Sequence, residues 1–293
     1  MDYARPESLV SADWLKQHLS DPNLRIIEVD VDPKQYHAGH IPGAIGLDWA
    51  KDLQDPLRRD IPSKAQLEHL LGSRGVNENH DAIIYGDSSN WFAAYAFWVM
   101  KLYGHKSVRL LNGGRSFWLN SDKLPLTPEL PTHPPTEYHA QEPDPALRAR
   151  VGEVLAAAVT RETASAATAA RTGAMQMVDV RSPDEFSGKV IAPPGMSETA
   201  QRAGHIPGAV NVPWAQTVNA DGTFKSRDEL ATLYAAQGLF PATPTISYCR
   251  IGERSSHTWF VLKYLLGFDN VRNYDGSWTE YGNLIGATIR KPD

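Results

Sequence analysis

The sequence has little cysteine, no surplus of positive charge and no long apolar run. One cysteine in 293 residues excludes an internal disulfide framework and any metal site built from several thiolates. A formal net charge of -5 leaves no basic surface for nucleic acid, so any attraction for anions has to be local to one site. The most apolar stretch, residues 91–100, is too short to span a bilayer, and we expect no membrane partner.

The rest of the composition is that of a globular protein. Hydrophobic residues make up 42% and charged residues 22% of the chain, and a length of 293 residues favours two domains over one. The first residues, 1–7, show no charged segment followed by an apolar run, so no signal peptide is expected. The simplest expectation is a reducing, cytoplasmic environment.

Two halves of the chain repeat each other. Residues 38–45 recur at 203–210 as Ala-Gly-His-Ile-Pro-Gly-Ala followed by Ile or Val. In both copies short β-branched runs alternate with helical patterns, which predicts an α/β fold with a mostly parallel sheet flanked by helices. We place the domains at 1–124 and 151–293. The prolines between them predict an extended interdomain linker at 125–150, because proline does not continue a helix.

The single cysteine lies between a predicted buried strand, 245–248, and a predicted helix, 257–266. A tight strand-to-helix loop aims backbone N–H groups and the positive end of the helix dipole into one small bowl. A cysteine at the start of such a bowl is expected to ionise easily, since the bowl stabilises the thiolate. The amides predicted to form it belong to three loop residues, Ile251, Gly252 and Glu253.

The charges around the cysteine favour a catalytic role over a structural one. A lone cysteine is commonly a small buried hydrophobic residue, but such a residue has no use for Arg250 and Arg254 within five positions. Cys249 is therefore predicted to be a nucleophile that acts on an anionic substrate. Glu253 is expected to face solvent or to pair with an arginine, and we assign it no chemistry.

Two charged residues end the predicted strand 177–181 and should face the same side as the cysteine loop. Asp179 is expected to hold the loop arginines by a salt bridge. Arg181 is a candidate substrate contact. The repeated histidines, His40 and His205, invite a metal hypothesis, but they lie in different domains and within turn sequences, so we predict no metal site.

Three motifs resemble those of the rhodanese family of thiosulfate sulfurtransferases. The loop Cys249-Arg250-Ile251-Gly252-Glu253-Arg254 resembles the active-site pattern Cys-Arg-x-Gly-x-Arg. Residues 275–281 resemble the family's C-terminal signature, and residues 39–44 and 204–209 resemble its upstream one. The resemblance covers nearly the whole chain. It implies two tandem rhodanese-like domains, of which the first is non-catalytic, because Gly86 and Asp87 stand where the second has its thiol loop.

The resemblance also implies an activity. Cys249 would take the outer sulfur of thiosulfate as a persulfide and pass it to cyanide or to a thiol, with no cofactor. Arg254 is the first candidate to grip thiosulfate and Arg250 the second. Related enzymes often carry a substrate arginine a few residues after strand 177–181, where this chain has residues 184–186, Asp-Glu-Phe; Arg181 or Arg202 would have to supply that charge.

Three alternatives remain open at this point. A 3-mercaptopyruvate sulfurtransferase typically carries small residues in the loop, as in Cys-Gly-Ser-Gly-Val. A cysteine phosphatase separates cysteine and arginine by five residues, whereas four separate Cys249 from Arg254. A persulfide carrier would receive its sulfur from a partner protein. The sequence assigns no role to the alanine-rich insert 160–172 or to the loop 189–202, and it leaves the acceptor and the oligomeric state open.

Overall fold

The computed structural model describes residues 2–121, 124–163, 175–193, 195 and 199–291. They form two compact units. The first unit comprises Glu7–Asp144 with Val218–Phe224, and the second comprises Met1–Pro6, Pro145–Thr217 and Lys225–Asp293. Within the predicted linker, residues 125–144 lie in the first unit and residues 145–150 in the second.

The first unit is built on a parallel sheet of five strands in the order β1-β5-β4-β2-β3. Its strands are β1 Leu9–Val10, β2 Leu24–Val29, β3 Ile45–Leu47, β4 Asp81–Tyr85 and β5 Val108–Leu111. Its helices are α1 Ala12–His18, α2 Lys34–Ala38, α3 Trp49–Asp52, α4 Lys64–Ser73, α5 Asp87–Leu102 and α6 Gly114–Asn120. A 3-10 turn at Pro6–Ser8 precedes β1 in the chain. α4 begins with a capping box, in which the side chains of Ser63 and Gln66 bind each other's main chain.

The second unit repeats this plan on a parallel sheet of four strands in the order β7-β6-β8-β9. Its strands are β6 Gln176–Asp179, β7 Val210–Asn211, β8 Thr245–Tyr248 and β9 Val271–Tyr274. Its helices are α7 Val151–Thr163, α8 Pro183–Ser187, α9 Arg227–Ala235, α10 Glu253–Phe260 and α11 Ser277–Tyr281, with 3-10 turns at Pro145–Leu147 and Trp214–Thr217. A π-helical turn, Val261–Leu265, continues α10.

The predicted α/β fold with two parallel sheets flanked by helices is confirmed. The strand predicted at 245–248 is β8. The helix predicted to begin at 257 begins at Glu253 instead, so the loop holding the cysteine is shorter than we expected. Residues 164–172 of the alanine-rich insert, and residues 194 and 196–198 of the predicted loop 189–202, lie outside the described residues.

The two sheets place equivalent loops at equivalent edges. Within each unit the strands run parallel, so their carboxyl ends meet at one edge, where an α/β fold commonly binds ligands. The loop after β8 and the end of β6 therefore lie together in the second unit. Among the described residues, no helix is long and apolar enough to cross a membrane.

Candidate active site

Cys249 is the first residue after β8, and its loop is held by main-chain groups of α11. The N–H of Trp278 donates to the carbonyl of Cys249 at 3.1 Å, and the N–H of Thr279 donates to that of Arg250 at 3.0 Å. The Thr279 hydroxyl adds a bond of 2.8 Å to the same Arg250 oxygen. These bonds hold both carbonyl oxygens on the α11 side of the loop. Residues 275–281, which resemble the family's C-terminal signature, therefore have a physical role: they hold the cysteine loop in place.

Gly252 is required by the shape of the loop. Its φ is 106°, in the left-handed region that favours glycine, and an added Cβ would lie 2.9 Å from the backbone of Asp275. Its carbonyl accepts from the hydroxyls of Ser255 and Ser256 at 3.0 and 2.7 Å. Asn273, on β9, binds both serines. The turn from strand to helix is therefore fixed by a polar network that is itself buried.

Three groups surround the Cys249 sulfur, which belongs to a fully buried side chain. The Gly252 amide donates to Sγ at 3.1 Å. The thiol donates to Glu253 Oε2 at 3.3 Å. Ser277 Oγ lies 4.0 Å from Sγ and accepts the Cys249 N–H at 3.0 Å. The sulfur therefore lies among polar groups rather than in a hydrocarbon pocket.

The titration of the thiol differs from our expectation. Burial raises the pKa of Cys249 above its usual value, and the Glu253 carboxylate raises it further. The charge of Arg254 and the amides of Ser255 and Gly252 lower the pKa but do not reverse the shift. The prediction that this thiol ionises easily is therefore wrong for the site as it stands, because a closed site and a neighbouring carboxylate both favour the neutral form.

Glu253 is not exposed to solvent. Its side chain is almost fully buried, with Oε2 against the thiol and Oε1 3.5 Å from Arg254 Nε. The expectation that it faces solvent is therefore wrong, whereas the alternative that it pairs with an arginine is confirmed. The sequence predicts only a main-chain role for Glu253, since nothing in the pattern shows which way a side chain in the first turn of a helix points.

Arg254 forms a buried, two-point ion pair with Glu185. Its Nη1 and Nη2 donate to the two carboxylate oxygens at 2.9 and 3.0 Å. Burial alone would raise the pKa of Glu185, but the hydrogen bond and the charge of Arg254 outweigh burial and hold that pKa below its usual value. Sequence reasoning missed Glu185. A signal was present in the capping-box spacing of Ser182 and Glu185, which places this carboxylate in the first turn of α8.

Arg181 is held by Asp179 rather than standing free at the strand end. The two side chains share bonds of 2.6 to 3.1 Å, and Arg181 also donates to the Gly204 carbonyl at 2.8 Å. The guanidinium carbon lies 4.6 Å from the Trp278 ring centroid, and the residue is fully buried. Asp179 thus binds an arginine of its own strand end. The loop arginine Arg254 is bound by a different carboxylate.

The other candidate residues are buried or bound to main-chain carbonyl groups. Arg250 is almost fully buried, next to the cysteine. Arg202 donates four bonds to main-chain carbonyls of residues 281–287. His40 contacts the carbonyl oxygens of residues 36 and 129, and His205 that of residue 186. Within the described part of the chain, no group of three or more His, Cys, Asp or Glu residues could hold a metal ion.

Comparison with known proteins places this loop in a family. The Rhodanese-like domain matches residues 11–121 and 162–284. A putative thiosulfate sulfurtransferase of Haloferax volcanii is 52% identical over 99% of this chain and 98% of its own length. The sulfur carrier protein TtuD of Thermus thermophilus is 49% identical over 99% of both chains. The 3-mercaptopyruvate sulfotransferase structure from Escherichia coli has a TM-score of 0.75 and 29% identity, covering 92% of this chain and 98% of its own.

Proposed function

Because this chain belongs to the rhodanese-like family and is a sulfurtransferase, we propose that it takes the outer sulfur of thiosulfate onto Cys249 and passes it to a second nucleophile. The observation that carries the proposal is the 3.1 Å hydrogen bond from the Gly252 amide to Sγ. A fixed donor aimed at the sulfur stabilises negative charge there, and both the thiolate and the persulfide carry such charge.

The proposed reaction has two half-reactions. In the first, the Cys249 sulfur attacks the outer sulfur of thiosulfate, whose S–S bond breaks, and sulfite leaves with the bonding electron pair. In the second, cyanide or a thiol attacks the terminal sulfur of the persulfide, and Cys249 departs as the thiolate. Ping-pong kinetics follow, because the first product leaves before the acceptor binds.

The arginines have separate roles in this proposal. Arg254 is neutralised in part by Glu185, yet its charge still lowers the pKa of Cys249, so it supports negative charge on the sulfur. Arg254 remains the first candidate to bind the sulfonate oxygens, and Arg250, next to the nucleophile, is the second, because a guanidinium is well suited to such oxygens. Arg181 stays a candidate by prediction, while its bonds to Asp179 favour support of the strand end.

A second candidate function is that of a persulfide carrier serving a partner protein. The 49% identity to a relative named a sulfur carrier protein supports it. The same Cys249 persulfide would form, but its sulfur would come from a donor protein and leave to an acceptor protein. The two functions share the second half of the chemistry and differ in whether free thiosulfate loads the cysteine.

The test is to measure thiocyanate formation from cyanide with thiosulfate, and in parallel with 3-mercaptopyruvate, for the wild type and Cys249→Ser. We expect turnover with thiosulfate, a larger rate than with 3-mercaptopyruvate, and no turnover in the variant, because its hydroxyl forms no persulfide. Mass spectrometry should show one added sulfur on the Cys249 peptide after thiosulfate alone. A wild type that thiosulfate does not load would contradict the proposal. Hydrolysis of para-nitrophenyl phosphate would favour phosphatase chemistry instead.

A further inference from the structure

A carboxylate buried against the nucleophile is unexpected in a site for anions. Glu253 is 1% exposed, and its Oε2 lies 3.3 Å from Sγ. Burying a carboxylate is costly unless it is paired, and like charges near a thiolate oppose its formation. As first residue of α10, Glu253 lies at the positive end of the helix dipole, and Arg254 Nε lies 3.5 Å from Oε1. The fold thus stabilises the Glu253 carboxylate at a position where its negative charge would repel an anionic substrate.

The Glu253 carboxylate lies where the reaction requires an acceptor for the thiol proton. Burial and Glu253 both raise the pKa of the Cys249 thiol, which favours the protonated form of the resting sulfur. That proton has to leave before or during attack on the donor. The thiol already donates to Glu253 Oε2, at a distance close to the reach of a general base.

We propose that Glu253 is a catalytic residue, which takes the Cys249 thiol proton during the first half-reaction and delivers it to the departing sulfite. The identity of the leaving group rests on the proposed function. The contact between the carboxylate and the sulfur does not.

The step balances without another reactant. The S–H electron pair becomes the nucleophile, the Cys249 Sγ–sulfur bond forms, and the S–S bond of thiosulfate breaks toward sulfite. The proton moves from Sγ to Oε2 and then to sulfite, which leaves as hydrogen sulfite. While Glu253 holds the proton it is neutral, so it does not repel the anionic persulfide that forms beside it.

Glu253→Gln separates proton transfer from simple electrostatics. The amide removes the negative charge, so the thiol pKa should fall and more thiolate should be present at neutral pH. A merely repulsive Glu253 therefore predicts a faster first half-reaction in the variant. A proton-accepting Glu253 predicts a slower one, by about a hundredfold, the lower range of general acid–base catalysis. The variant should also bind the thiosulfate dianion more tightly, giving a lower KM together with a lower kcat.

The experiment combines two readouts on the full-length protein. Ultraviolet absorbance of the thiolate, with Cys249→Ser as blank, reports the thiol pKa of the wild type and of Glu253→Gln. Stopped-flow measurement of sulfite release from thiosulfate reports the first half-reaction across neutral and alkaline pH. Asp269→Asn, which removes one exposed carboxylate from the same unit, is the matched control and should leave both readouts unchanged.

The proposal is supported if the thiol pKa falls while sulfite release slows, and it is overturned if release is unchanged or faster. If Glu253→Gln does not fold, Glu253→Asp replaces it, because the shorter side chain keeps the charge but withdraws the oxygen from Sγ; sulfite release at the wild-type rate would then overturn the proposal. Failure of the proposed function appears in the wild type, as absent sulfite release. Failure of this inference appears only in the ratio of variant to wild type.

Discussion

The loop after β8 in the second unit and the loop after β4 in the first unit are each held by an equivalent main-chain hydrogen bond. Trp278 N–H donates to the Cys249 carbonyl at 3.1 Å, and Arg115 N–H donates to the Gly86 carbonyl at 2.9 Å. The residue before each donor has a left-handed φ, 53° in one unit and 57° in the other. The duplicated sequence therefore conserves the scaffold of both loops between its two copies.

The side chains and backbone of the two loops differ. In the first unit Asp87 follows Gly86, and its carboxylate accepts from Val31 N–H at 2.8 Å and from Gln35 at 3.1 Å. Burial and then Glu28 raise the pKa of Asp30 to about 8. Residues 88–90 follow in left-handed conformations, with φ of 47°, 54° and 69°. Because the two loops share main-chain features but differ in side chains, we predict that a few residues, rather than the fold, decide which copy carries chemistry.

Moving the cysteine to the first unit tests whether the loop after β4 can support sulfur transfer. Gly86→Cys in a Cys249→Ser background should recover no thiocyanate formation. A Cβ at position 86 would lie 2.1 Å from the Val29 carbonyl oxygen, so we also expect a loss of about 1–3 kcal/mol in unfolding free energy, as for an overpacked core. An assay of thiocyanate formation measures the activity, and denaturant unfolding measures the unfolding free energy.

Gly152→Cys in the same background is the control for adding a thiol. A Cβ at this position of α7 has no neighbour within 4 Å, so its stability should not fall and its activity should stay absent. Recovered transfer by Gly86→Cys, but not by Gly152→Cys, would mean that the first unit keeps a competent loop and that our account of its inactivity fails.

Sequence patterns among neighbouring residues are sufficient to predict much of the fold. The run at 245–248 predicts strand β8, and the alternation of short β-branched runs with helical patterns predicts parallel sheets flanked by helices, since the physical cause of these patterns is confined to neighbouring residues. The pairing of Arg254 with Glu185 joins residues 69 positions apart, and sequence spacing alone does not determine such a contact. The inward direction of Glu253 also depends on packing around the sulfur. The thiol pKa was mispredicted for the same reason, because burial and a neighbouring carboxylate set it.

Arg254→Ala tests one electrostatic difference between the two loops, since Trp91 follows Gly86 by the five positions that separate Arg254 from Cys249. Removing one partner of a buried pair leaves Glu185 uncompensated, and we expect a loss of about 3–5 kcal/mol in unfolding free energy. The thiosulfate KM should rise by about ten- to a hundredfold, on the scale of ~1.5–3 kcal/mol for a charged hydrogen bond. Urea unfolding and steady-state kinetics measure the two effects.

The double variant Arg254→Ala with Glu185→Ala should be less destabilised than the sum of the single variants, because no charge is then left unpaired. The control is Lys189→Ala, which removes an exposed ion pair. The Lys189 and Asp184 side chains are 75% and 61% exposed, so loss of this pair should lower the unfolding free energy by only about 0–1 kcal/mol. Additive single effects would show that the buried pair is not coupled, and an unchanged KM would move the substrate contact to Arg250.

One buried histidine in each unit should make the stability of the protein sensitive to acid. Burial lowers the pKa of His105 in the first unit to about 4 and that of His257 in the second to about 3. A histidine titrates near pH 6.5 when unfolded, so below that pH the unfolded chain binds protons that the native state does not. Stability should therefore be full above about pH 6.5 and should fall as the pH decreases, by about 2 kcal/mol per histidine at about pH 5.

His257→Leu should flatten this pH dependence in the second unit, because it removes a group that only the unfolded chain protonates. His139→Gln is the control, since that side chain is 70% exposed whereas His257 is fully buried. Unfolding free energies at neutral and mildly acidic pH measure the slope for each variant. An unchanged slope in His257→Leu would show that this histidine is protonated in the folded chain, and the acid sensitivity would then have to come from His105 in the first unit.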